Sequence, residues 1–139
     1  MNSSTSPEEI RRLVNELYAA WALREPDRID AIFTDDGVYE DVAADKIHRG
    51  TEDIKRLLLA ADEWAHDFRV TMTSLVVGDE SAATEWVSEG TQTGPIGDLP
   101  ASGKAFRLRG ASVIKFRSGK IAQVIDYYDM ATFVKQLGG

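Results

Sequence analysis

The sequence predicts an α+β domain in which helices cover one face of a curved antiparallel sheet. Three observations carry this. Apolar residues recur at helical spacing through the first half of the chain, alternation with a period of two takes over from about residue 68, and the two patterns hardly intermix. Helices and strands segregated in this way form α+β layers rather than the repeated units of a parallel sheet. The 139 residues fit a single domain, 1–139, with its ordered core at about 8–137, and contain no internal repeat or low-complexity segment.

Each element has a local cause. Ser6-Pro7-Glu8-Glu9 is a helix start, with Ser6 as cap, Pro7 at the first helical position and Glu9 closing a capping box. Ile10, Leu13, Val14, Leu17, Tyr18 and Trp21 then form one apolar face. Glu25-Pro26-Asp27 ends that helix, and Asp27 is placed to cap a short second one carrying Ile29, Ile32 and Phe33. Asp35-Asp36-Gly37 reads as a turn, Val38–Val42 as a strand, and Lys46–Gly50 as its return. Gly50 or Thr51 opens a third helix with Glu52 and Asp53 in its first turn, where the helix dipole favours acids. Residues 68–79 and 80–94 alternate as strands, with Thr84, Trp86 and Ser88 on one face and Ala83, Glu85, Val87 and Glu89 on the other. The glycines and prolines of 94–104 make a loop. Residues 105–129 form two strands joined at Ser118-Gly119, and 130–139 form a terminal helical turn or two.

Composition narrows the function. With 43% hydrophobic and 28% charged residues, the chain has the make-up of an ordinary soluble globule. Cysteine is absent, which excludes disulfides, thiolate metal sites and a cysteine nucleophile. A formal charge of −7 argues against nucleic acid as a partner, because such affinity rests on basic clusters. No apolar run approaches the roughly 18 residues that suggest a membrane span, and the start lacks a signal-peptide core, so no membrane association and a cytoplasmic location are expected. Two histidines without ligand spacing predict no metal.

The stretches FTDDGVYED (33–41), HRGTEDIKRLL (48–58), EWVSEGTQTGP (85–95), ASGKAFRLRGASVIKFRSGKI (101–121) and DYYDMATFVKQLG (126–138), in this order and spacing, resemble the nuclear transport factor 2-like superfamily. Within it they resemble the SnoaL-like polyketide cyclases and the ketosteroid isomerase-like branch. The resemblance implies a cone of three N-terminal helices packed on a strongly curved antiparallel sheet, with a pocket between the layers. It also implies a cofactor-independent enzyme carrying out acid/base proton transfer, of cyclase or isomerase type, on a small apolar carbonyl compound. The alternative is a noncatalytic hydrophobic-ligand-binding or dimeric accessory protein, since one fold hosts many functions.

Asp41 is the first candidate. Alternation puts only one of Glu40 and Asp41 inside, with Asp41 sharing the face of Tyr39. Apolar neighbours would raise its pKa, as carbon-to-carbon proton transfer requires. The resemblance to the isomerase stretch selects Asp41 as proton carrier and Tyr18 as the family tyrosine. The isomerase set is incomplete, with Ser112 at the position of its oxyanion acid and Leu57 or Leu58 at that of its second tyrosine. In polyketide cyclases of this type, an aspartate near the end of the last strand serves as acid/base. Alternation places Asp126 and Asp129 on opposite faces, and the Asp-Met-Ala-Thr pattern favours Asp129 unless a bulge reverses the faces. Asp129 could equally cap the helix that follows. His48 is either a pocket donor or base, having a pKa near neutrality, or a polar edge residue. Gln92 stands where the cyclase-like pattern often has histidine, and can orient a substrate without shuttling protons. Trp21, Trp64, Trp86 and Tyr127 are expected to line an apolar pocket with Tyr18. A homodimer through the sheet is expected from apolar residues on both strand faces, including Trp86, Val113 and Phe116.

Overall fold

A computed structural model describes residues 4–139. Helix α1 (Pro7–Leu23) and the short α2 (Asp27–Ile32) lead into strand β1 (Phe33–Asp41), which returns as β2 (Lys46–Arg49). Helix α3 (Thr51–Trp64) follows, then β3 (Arg69–Gly78), β4 (Ser81–Thr91), β5 (Ala105–Arg117), β6 (Lys120–Tyr128) and helix α4 (Met130–Gln136). The α+β class holds, with one six-stranded sheet of order β2-β1-β6-β5-β4-β3. A hairpin stands between α2 and α3, so the helices are not a single N-terminal block, and a fourth closes the chain.

The sheet is not wholly antiparallel, because β1 and β6 run parallel. Parallel neighbours need a long crossover, and more than half of the chain, residues 42–119, lies between these two. Bulges interrupt the ladders at Met72/Ser74, Lys115/Phe116 and Phe33/Val38. The last absorbs the expected Asp35-Asp36-Gly37 turn into β1. Bulges of this kind bend a strand and increase its twist.

The capping box of α1 is formed: Glu9 N–H donates to Ser6 Oγ at 3.1 Å and Ser6 N–H to Glu9 Oε1 at 3.2 Å. Its inner face, Ile10, Leu13, Val14 and Leu17, is buried against α2 and the sheet with Ile29, Ile32 and Phe33. Side chains of this size contribute roughly 1.5–3 kcal/mol each on burial. Asp27 is the first residue of α2 rather than its cap, since Pro26 takes that place without a side-chain bond. The helix α1 ends at Arg24 in the left-handed conformation. The Arg24 guanidinium then reaches Asp62 at 3.0 Å and the Phe68 carbonyl at 2.9 Å, tying the end of α1 to α3 and to the start of β3. A second cluster, with Ala65, Phe106, Leu108, Phe133 and Leu137, lies under α4.

Candidate active site

Pairing across the sheet sets the inner face in rows. One row runs Lys46, Asp41, Asp126, Ser112, Thr84 across five strands, each residue opposite the next. On one side of it lie His48, Tyr39, Val124 and Ile114, and on the other Tyr128, Gly110 and Trp86. A polar row thus crosses a surface that is otherwise mostly apolar and aromatic.

These rows form one wall of a cavity of about 600 Å³. Tyr18, Trp21 and Leu57 face it from the helices, and Trp64, Phe68, Phe106 and Phe133 close its far end. The aromatic rings there meet edge-on or tilted, with Trp64 5.5 Å from Phe68 and 5.4 Å from Phe106 between centroids, the spacing that ring quadrupoles favour. The sheet wall carries two carboxyls, Asp41 and Asp126, while Asp53 and Glu63 line the cavity from α3. Asp126 accepts from Tyr39 Oη at 2.7 Å, and its other oxygen lies 2.5 Å from Ser112 Oγ, which in turn accepts from Trp86 Nε1 at 2.9 Å. Asp41 accepts from Tyr128 Oη at 2.8 Å and from the Ala44 N–H at 3.0 Å. From the opposite wall, the Tyr18 hydroxyl lies 2.9 Å from Thr84 Oγ1.

Burial pushes Asp126 up to about 6; the Ser112 and Tyr39 hydrogen bonds oppose this, and the charge of Asp41 adds to it. Burial likewise raises Tyr18 to about 12, and it raises Tyr39 and Tyr128 well above the usual phenol range with help from the nearby carboxylates. All three phenols are therefore neutral near pH 7, and Tyr39 and Tyr128 donate to the carboxyls. His48 is lowered by burial, against the pull of Asp53 and Asp41, so its imidazole is neutral near pH 7. Among the described residues, no group of His, Cys, Asp and Glu side chains is arranged to hold a metal ion.

A family model described as SnoaL-like polyketide cyclase matches residues 11–137. The chain belongs to the SnoaL-like family. Among solved structures, TsrD from Streptomyces laurentii is similar, with 25% identity, a TM-score of 0.85 and coverage of 96% of this chain and 97% of that one. A Catenulispora acidiphila protein with a ketosteroid isomerase-like fold, solved with trimethylamine, is 25% identical with a TM-score of 0.80, covering 96% and 95%. A nuclear transport factor 2-like protein from Burkholderia xenovorans shares the fold at 16% identity and a TM-score of 0.78, covering 96% and 98%. No curated protein matches the chain.

For this SnoaL-like chain, the structure gathers Asp41, His48, Tyr18, Trp21, Trp64 and Trp86 around the one cavity. Three expected residues stand elsewhere. Asp129 caps α4, accepting from Ala131 N–H at 3.0 Å and Thr132 Oγ1 at 2.8 Å, and its pKa is held down by these bonds. Tyr127 is 47% exposed on the other face of β6. Gln92 is fully buried beside the cavity rather than lining it. Its amide donates to the Gly94 and Pro100 carbonyls, each at 3.1 Å, and accepts from Ser102 N–H and Oγ at 3.2 and 2.7 Å. It thereby fixes the loop whose Pro95, Ile96 and Leu99 close the aromatic end.

Asp126, Ser112 and Tyr39 complete the site. Strict alternation from the buried Ile121 would put 123, 125 and 127 inside; the bulge opposite Lys115/Phe116 shifts the phase so that Val124, Asp126 and Tyr128 face inward. The signal available was the helix-cap grammar of Asp129-Met-Ala-Thr, which accounts for that aspartate and leaves Asp126 for the pocket.

Proposed function

We propose that the protein is a cofactor-independent enzyme that moves protons on a small apolar carbonyl compound, most simply in an intramolecular aldol-type ring closure. The observation that carries this reading is the pair Asp41 and Asp126, directly opposite on neighbouring strands at the polar end of an apolar cavity. Two carboxyls in unlike environments divide acid and base roles between them. Asp126, titrating near 6, exchanges its proton most readily around neutral pH. As carboxylate it takes a proton from the carbon activated by the carbonyl, and as acid it returns one to the carbonyl oxygen when the new carbon–carbon bond forms. Asp41 supplies the neighbouring charge that keeps Asp126 basic and stands as the second proton acceptor. Tyr18, a neutral donor on the opposite wall, polarises the carbonyl, and the aromatic end receives the apolar remainder of the substrate.

The test is hydrogen–deuterium exchange at the acidic carbon of an aryl 1,3-dicarbonyl probe bound to the protein. The wild type should accelerate exchange over buffer, and Asp126→Asn should reduce it by about 100-fold or more while the probe still binds. Binding without accelerated exchange in the wild type would favour the ligand-binding reading instead.

We also propose a homodimer through the outer sheet face. Trp86 and Phe116 point inward and take no part. Val76, Val87, Val113, Ile125 and Tyr127 are among the outward apolar residues, with Glu85 and Glu89 on β4 beside Arg107 and Arg109 on β5. Acidic and basic strands side by side suit a two-fold contact in which each meets its opposite. Light scattering should give twice 15.4 kDa; a 15.4 kDa species at micromolar concentration would refute it.

A further inference from the structure

Resting on the reading of Asp126 as proton carrier, we propose that Trp86 is a positioning residue that sets the proton affinity of Asp126 through Ser112. The arrangement begins at Gly110, which is paired with Trp86 across β4 and β5. A Cβ at this position would stand 2.3 Å from the indole ring, so the indole can lie against β5 only because no side chain is there. That placement carries Nε1 to Ser112 Oγ at 2.9 Å. An indole N–H can only donate. With its oxygen accepting from Trp86, Ser112 turns its own hydrogen to Asp126 Oδ1 at 2.5 Å, while Tyr39 donates to Oδ2. Hydrogen bonds aligned head to tail strengthen one another. The relay therefore favours the carboxylate and counters burial and the Asp41 charge, holding the Asp126 midpoint below where those two alone would leave it.

The other groups around Asp126 do not substitute for this. From β1 come Tyr39 and Asp41, from β6 Tyr128, from β4 Thr84, from α1 Tyr18, and from β2 Lys46 and the neutral His48. Of these only Tyr39 donates to the carboxyl, and it does so to the other oxygen.

The experiment follows the carboxyl carbon of Asp126 by NMR titration of isotope-labelled full-length protein without substrate. Removing one neutral donor should raise the midpoint by about one pH unit for Ser112→Ala and by about half a unit for Trp86→Phe, which leaves Ser112 in place. The double variant should rise no further than Ser112→Ala alone, because Trp86 acts only through Ser112. An unchanged midpoint in Trp86→Phe, or two effects that add, would overturn the proposal. A second measurement needs no change at Trp86. In the wild type the indole Nε1 proton should shift with the Asp126 midpoint, and in Ser112→Ala it should not. An indole resonance that stays flat through that titration would also overturn the relay. Neither measurement depends on turnover, so absence of proton exchange on the dicarbonyl probe would defeat the proposed reaction and leave the relay standing.

Discussion

Replacing Asp126 by Asn should make the protein more stable at pH 8, relative to the wild type, than at pH 4. In the folded chain Asp126 titrates near 6, against 3.8 for an unperturbed aspartate. Below about pH 4 both folded and unfolded chains hold this proton and the carboxyl costs nothing. Between 4 and 6 the unfolded chain has lost the proton that the folded chain keeps, so each rise in pH favours unfolding. Above 6 the folded protein carries a buried charge. At about 1.4 kcal/mol per unit, the displacement corresponds to roughly 3 kcal/mol, fully expressed by pH 8. An amide does not titrate, so the Asn variant lacks this slope. Its mismatch with the Tyr39 and Ser112 donors adds an offset at every pH, and the pH-dependent part of the difference is free of it. The assay is urea denaturation of both proteins at pH 4, 5, 6, 7 and 8, subtracting unfolding free energies. The difference should move in favour of Asn by about 2–3 kcal/mol, with its midpoint between 4 and 6. A difference that is flat across the series, or moves the other way, would show that Asp126 is not held in a desolvated setting.

Asp41→Asn should lower the Asp126 midpoint below 6 by removing a repelling charge, as read by the same carboxyl resonance. Asp129→Ala should cost about 1 kcal/mol in stability, typical of a lost cap, and leave proton exchange unaffected; a lost activity would restore Asp129 to the site. Gln92→Leu should destabilise the fold by roughly 2–4 kcal/mol, because Ser102 and two loop carbonyls lose their partners. Limited proteolysis should then cut within residues 94–102, and an uncut loop would contradict the anchoring role. Leu13→Ala, at a fully buried position, should cost about 2–5 kcal/mol by the same denaturation measurement.

The helices were legible because their signals are local. Ser6-Pro7-Glu8-Glu9 caps α1 as the residue types require, and Gly50 precedes α3 with a positive φ of 83° that glycine tolerates. The strands of the second half were legible from alternation; the same rule put Asp41 on the face of Tyr39, and the family resemblance selected that face as the inner one. What alternation could not supply was phase across a bulge. A one-residue shift in β6 exchanges the two faces, which is why Asp126 lines the cavity while Tyr127 points away. Gln92 misled for another reason. It stands where the family pattern often has histidine, and only the fold shows that the loop turns back to occupy all four bonds of its amide. The parallel pairing of β1 with β6 joins residues 33–41 to 120–128, and no local pattern reports a partner so distant.

That pairing also fixes when the site comes into being during synthesis. The hairpin β1–β2 is made early, but one edge of β1 awaits the last strand of the chain. At ordinary translation speeds, the interval between Asp41 and Asp126 leaving the ribosome is roughly 5–15 s. Throughout it, the Tyr39 and Tyr128 bonds to the two aspartates cannot form, since each spans 87 residues. A nascent chain ending before Asp126 can carry all the helices up to α3 and four or five strands, yet hold neither the carboxyl pair nor a closed β1 edge. The facing carboxyls and protection of that edge from pairing with other chains therefore arrive together, with the docking of β6.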